Sequence, residues 1–244
     1  MQGWKAVWIY LCDVHRIISL IHKDLIVDWR QQNPISGILL YLASTIFATY
    51  MAFKGFVPVE VWNALFWIIL LFTSINAISK SFIQEEKRTH YYFFLCKPSE
   101  IILAKLIYSF VYLWIVSVIS LFIYIILMGN PIINYPLFIL NLVLGCIGLS
   151  SAFTMVSSIA FRTSNRSIMM AVLGFPVIIP VLILSISNSF KILDSYVFTQ
   201  IQGNIITLFS VDVIIIALTF ILFPFTWKSW WVIYWKKTGG NGCV

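Results

Sequence analysis

The chain has 244 residues, of which 61% are hydrophobic and only 10% charged, and its mean hydropathy is +0.95. A soluble domain spends about a quarter of its positions on charged residues, so this chain lacks the polar groups to cover its apolar surface, and lipid must be its solvent. The net charge of +7 does not indicate nucleic acid, because the basic residues are segregated along the chain as they are in an oriented membrane protein.

The first thirty residues carry charges throughout (Lys5, Asp13, Arg16, Lys23, Asp24, Asp28, Arg30), which leaves no clean apolar core for a cleavable signal. Val14, Ile17, Ile18, Ile21, Leu25 and Trp29 share one helical face, with Arg16, Ser19, Lys23 and Arg30 opposite. That periodicity predicts a helix lying in the membrane interface within residues 1–34 rather than a crossing. Asp28, at the edge of the apolar face, fits it less well.

A membrane crossing needs about 20 mostly apolar residues. Six stretches meet this: Ile35–Phe53, Val61–Ile83, Ile101–Met128, Leu137–Phe161, Ile168–Ser187 and Ile205–Thr226. The third is long enough to tilt or protrude. Lys5, Arg16, Lys23, Arg30, Lys80, Lys87, Arg88, Lys97, Lys105, Arg162, Arg166, Lys228, Lys236 and Lys237 fall on one side of this arrangement, and only Lys54 and Lys191 on the other. The positive-inside rule then places both termini in the cytoplasm. The expected fold is an all-α membrane protein in three parts: residues 1–34, a six-helix transmembrane domain at 35–226, and a cytoplasmic tail at 227–244.

Between the second and third spans, Gln84, Glu85, Glu86, Arg88 and His90 precede the aromatic run Tyr91–Leu95, and the segment closes at Pro98. A proline there is expected to stop a helix. The pattern fits a short amphipathic helix seated on a cytoplasmic partner, and equally an interfacial loop anchored by aromatics. In the fourth span Asn141, Gly145, Gly148, Ser151 and Ala152 form a small-residue face suited to close packing. Pro176 and Pro180 interrupt the fifth span at i and i+4, producing either a static kink or a hinge. Asn76, Asn141 and Asp212 are the intramembrane polar candidates, with Asp212 read toward the outer end of the sixth span, within reach of headgroups. The Trp227–Lys237 run, with rings interleaved by lysines, reads as an interfacial anchor.

Several chemistries are missing. No G-x-x-x-x-G-K-[ST] phosphate loop occurs. Gly148–Ala152 resembles a nucleophile elbow only superficially, because His15, His22 and His90 all lie outside the spans and leave no base. Cys12, Cys96, Cys146 and Cys243 have no metal or redox spacing and are expected as reduced thiols. The chain is therefore not expected to be an enzyme in its own right.

The ordered features resemble the permease subunits of type-2 ABC exporters. More narrowly, Asp28–Tyr41, Lys80–Glu85, Leu103-Ala104-Lys105, Gly129-Asn130-Pro131 and Phe175-Pro176…Pro180 resemble the haem exporter B (CcmB) family of cytochrome c maturation, in order from about Lys23 to Trp230. The resemblance implies a bacterial inner-membrane subunit paired with a CcmA-like ATP-binding subunit, acting with a CcmC-like haem-handling membrane protein and a CcmE-like periplasmic haem chaperone, with two permease copies per complex. It makes residues 84–100 the ATPase-coupling loop, its candidates being Gln84, Glu85, Glu86, Arg88, His90, Tyr91, Pro98 and Lys105. No cofactor is expected on this chain: ATP acts through the partner and haem is handled by the complex. The Trp227–Trp235 cluster lacks the Asp and His neighbours of a haem site. The alternatives are an ABC-2 permease for a lipid, polysaccharide or drug, and a non-transporting assembly scaffold.

Overall fold

The computed structural model describes residues 33–53, 57–84, 98–160, 166–194 and 198–237. Its regular elements are six α-helices: α1 (Asn33–Phe53), α2 (Val59–Gln84), α3 (Pro98–Met128), α4 (Tyr135–Ala160), α5 (Arg166–Leu193) and α6 (Phe198–Lys237). All six are long and apolar enough to cross a membrane. The proposed N-terminal interfacial helix lies outside the described residues.

Local chemistry sets the helix boundaries. Pro98 opens α3, where the first helical position needs no N–H donor and suits proline's fixed φ; the helix it is expected to stop lies outside the described residues. At the far end Gly129 adopts φ 83°, the left-handed cap conformation that glycine takes without Cβ strain. The Gly129 N–H still bonds Ile125 O at 3.0 Å, and Asn130 Oδ1 then accepts from Ile132 N at 3.1 Å. Pro176 and Pro180 sit inside α5, which nevertheless continues from Arg166 to Leu193. Both proline side chains are exposed, so their rings point away from the bundle.

The helices pack around α4, which touches α2, α3, α5 and α6 and has 67% of its span buried. Its small residues allow this, since Gly145, Gly148, Ser151 and Ala152 are all buried and let neighbouring backbones approach. By contrast α1, packed on α2 and α3 through Ile38, Leu42 and Ile46, has 17% of its span buried. It exposes Leu40, Phe47 and Met51, while α6 exposes Ile206, Phe209, Val213, Ile214 and Ile221. Such apolar outer faces are those of a bundle solvated by lipid.

The C-terminal ends of α1, α3 and α5 and the N-terminal ends of α2, α4 and α6 share one side of the bundle, the short-connection end; the opposite side is the terminal end. At about 1.5 Å per residue, the 40-residue α6 is about 60 Å long. It does not break at Thr226 but continues through the Trp227–Lys237 run.

Candidate functional site

Two buried layers distinguish the bundle interior. The first lies within about 12 Å of the short-connection end and is built from aromatic rings and amides. Trp62, Phe66 and Trp67 of α2 meet Tyr124 of α3 and Phe138 of α4, every one at most 2% exposed. The ring centroids of Trp62 and Tyr124 are 5.0 Å apart, and Phe66 meets Trp67 edge-on at 5.9 Å. These are the offset and edge geometries favoured by ring quadrupoles.

Side-chain hydrogen bonds tie this layer across helices. Trp67 Nε1 donates to Ser189 Oγ at 2.8 Å, and Asn63 Nδ2 to Ile186 O at 2.8 Å, joining α2 to α5. Asn141 Nδ2 donates to Ser185 O (3.0 Å) and Ser189 Oγ (2.7 Å), joining α4 to α5. Tyr124 OH donates to Trp62 O at 3.1 Å, joining α3 to α2. Ser189 Oγ accepts two of these bonds, and the helical carbonyls of Trp62, Ser185 and Ile186 accept the others through a second lone pair. Asn63 Oδ1, Asn141 Oδ1, Ser185 Oγ, Trp62 Nε1 and both amide atoms of Asn188 are buried without a hydrogen-bond partner, and each such group costs about 1–3 kcal/mol. The layer therefore holds more polar capacity than it satisfies.

The second layer lies deeper, about 18–21 Å from the same helix ends, where Gly148 of α4, Val181 of α5 and Asp212 of α6 meet. All three are buried, and Asp212 is 1% exposed. A Cβ on Gly148 would stand 2.6 Å from Val181 Cγ1 and would clash with Asp212 Oδ1. Neither Asp212 oxygen has a hydrogen-bond partner.

Asp212 corrects the sequence reading. It is not near the outer end of its span, free to reach headgroups; it sits near the middle of Ile201–Leu222, on the inward stripe Ile201, Leu208, Asp212, Ile215 and Thr219. Because α6 begins at Phe198 rather than Ile205, the residue lies deeper than expected. Lys105 is in α3, buried at 6% exposure, with Nζ 5.6 Å from the Tyr108 ring centre. Asn76 bonds its own helix through Phe72 O at 3.0 Å. Gln84 ends α2 and Pro98 begins α3; Glu85, Glu86, Arg88, His90 and Tyr91 lie outside the described residues.

Sequence reasoning missed Asn63, Trp67, Ser185, Asn188 and Ser189. A signal was present, because Asn63 and Trp67 are four residues apart, as are Ser185 and Ser189, and each pair shares a helix face. The polar constellation at one depth, which the sequence alone did not assemble, is made by pairing those faces. It consists of amides, hydroxyls and an indole, with no nucleophile beside a base. Among the described residues no group of His, Cys, Asp or Glu could hold a metal ion. Cys146 is free and buried, its Sγ donating to Ser117 Oγ at 3.4 Å.

No curated protein and no solved structure matches the chain. The family model described as CcmB protein matches residues 15–229, a stretch that begins before α1 and ends inside α6. With all six spans inside that match, the chain belongs to the CcmB protein family.

Proposed function

We infer that this chain is the transmembrane permease subunit of an ATP-driven complex for cytochrome c biogenesis. In that complex it couples ATP hydrolysis by a CcmA-like partner to haem delivery or to release of a haem-loaded, CcmE-like chaperone. The observation that carries this reading is the family match across the whole bundle. Both termini and residues 85–97 are cytoplasmic in this reading, as the segregation of basic residues requires.

The bundle supports a force-transmitting role. Residues 85–97 join the end of α2 to the start of α3, two helices that pack on each other and on α4. A push on that segment by a closing ATPase is delivered to both helices at once. Along α2 it travels to Asn63 and Trp67, whose bonds to α5 pass it to a second group of helices. In this reading His15, His22 and His90 are cytoplasmic, across the membrane from the periplasmic chaperone, so the chain is read as moving its partners rather than ligating haem through them.

The test is a haem stain of membrane proteins from a deletion strain, with and without the gene restored. Loss of the covalently labelled cytochrome bands, recovered on complementation, is expected; unchanged bands would refute the assignment. Charge-removing substitutions at Glu85, Glu86 or Arg88 should abolish maturation while the chain still inserts. Normal maturation in those variants would instead indicate a passive scaffold.

A further inference from the structure

We propose that Asp212 is a proton-binding site, and that proton binding there favours the close packing of α4, α5 and α6. Its carboxyl is 1% exposed, near the middle of its span, with both oxygens unpartnered. A bare carboxylate in such a place lacks both water and a counter-ion, the costliest state for a charge in a bilayer. The acid form carries no net charge and is far cheaper to bury. The ligand is thus a single proton, taken up by one Asp212 oxygen as COO⁻ becomes COOH.

Among the described side chains, no neighbouring charge offers another way to neutralise it. Helices α3, α4 and α5 pack against α6. Their ionisable residues are Glu100, Lys105, Tyr108, Tyr112 and Tyr124 on α3, Tyr135 and Cys146 on α4, and Arg166 and Lys191 on α5; Glu100 is in the first turn of α3, and Arg166 is about 22 Å along α5 from Val181. Lys105 lies over Tyr108, which stacks on Tyr112; Tyr124 is bonded to Trp62 O and Cys146 to Ser117. Tyr135 meets Asn130, and Lys191 is about 15 Å along α5 from Val181. None bonds to Asp212. On α6 itself, Asp212 is the one ionisable residue of Ile201–Leu222.

Gly148 gives the site its mechanical consequence. Helix α4 has no side chain there, so it rests directly against Asp212 and Val181. Water can reach an ionised Asp212 only if these helices part. Proton loss and parting are therefore linked: the packed state is favoured at low pH and yields as pH rises. This goes beyond the maturation role, since the linkage does not depend on what the complex serves.

The test uses membranes containing the whole complex, with Ser151→Cys as the reporter. Ser151 is one turn from Gly148, 1% exposed, with Oγ donating to Gly148 O at 3.0 Å. Cys12, Cys96, Cys146 and Cys243 are replaced by serine. The labelling rate with N-ethylmaleimide is measured across a pH series and divided by the rate for the same chain carrying Asp212→Asn, which cancels the thiol's own titration. The expected ratio is near one at low pH and rises several-fold as pH increases. A ratio that stays flat, at one or above it, would overturn the proposal. Should Asp212→Asn accumulate poorly, Asp212→Ser provides the uncharged reference. Cytochrome maturation is not read in this assay, so its failure and that of the functional assignment are separable.

Discussion

The two halves of the bundle are joined by different physics. Toward the short-connection end, Asn63, Trp67, Tyr124 and Asn141 send hydrogen bonds from one helix to another, around a cluster of stacked rings. Toward the terminal end, α4 carries five hydroxyls, but Ser150, Ser151, Thr154, Ser157 and Ser158 each donate to a carbonyl three or four residues back in the same helix. Those groups present methylenes and small volumes to their neighbours. Directional bonds hold one register and break if the helices shift, whereas a small apolar contact surface permits sliding. The difference puts a clamp at one end and a compliant contact at the other, with Asp212 and Gly148 near the boundary.

The largest effect should come from breaking the clamp at its widest side chain. Trp67→Ala removes a fully buried indole, its edge contact with Phe66 and its bond to Ser189. Truncating a buried aromatic costs about 3–5 kcal/mol. A thermal melt of the purified complex in detergent should show a large loss of stability. A small effect would mean that the ring layer does not clamp the bundle.

Overfilling the α4 contacts should cost less. A Cβ at Gly145 would stand 2.5 Å from Trp67 Cη2, and at Gly148 2.6 Å from Val181 Cγ1. Gly145→Ala and Gly148→Ala should each destabilise by about 1–3 kcal/mol. The site of the relief sharpens the comparison. Trp67→Phe should recover part of the Gly145→Ala loss and none of the Gly148→Ala loss, because only the first clash is with that ring. Equal rescue of both would show that the layers are not separate.

Much of this architecture could be read from the sequence because hydropathy alone defines a span. The third stretch, Ile101–Met128, coincides with the apolar span of α3, and the small face of α4 is where Asn141 through Ala152 placed it. What escaped depends on other parts of the chain. Asn63 and Ile186, or Trp67 and Ser189, are more than 120 residues apart, and nothing local records that they meet. Asp212 was placed too shallow because Phe198–Asn204, with its Gln202 and Asn204, reads as loop by composition yet is helical. Trp227–Lys237 reads as an interfacial anchor at a helix end, and composition does not tell that α6 continues through it, since rings and lysines mark an interface either way.

The smallest predicted effects test the comparison most directly, because they ask chemically similar groups to behave differently. Asn141→Ala removes two bonds that cross from α4 to α5 and leaves Ser189 Oγ short of a donor. Polar contacts between membrane helices average about 0.6 kcal/mol and reach about 1.7, so a loss toward the upper figure is expected. In a double-mutant cycle, Asn141→Ala and Ser189→Ala should be non-additive. Ser150→Ala and Thr154→Ser remove, respectively, a hydroxyl bonded within its own helix and a methyl beside one. The Ile147 carbonyl that Ser150 contacts can keep its backbone partner without the hydroxyl, so Ser150→Ala should fall below about 0.6 kcal/mol. Measured by denaturation in one detergent, Asn141→Ala should exceed both α4 hydroxyl variants. If Ser150→Ala matched Asn141→Ala, the terminal half would be tied as firmly as the other, and sliding there would lose its physical basis.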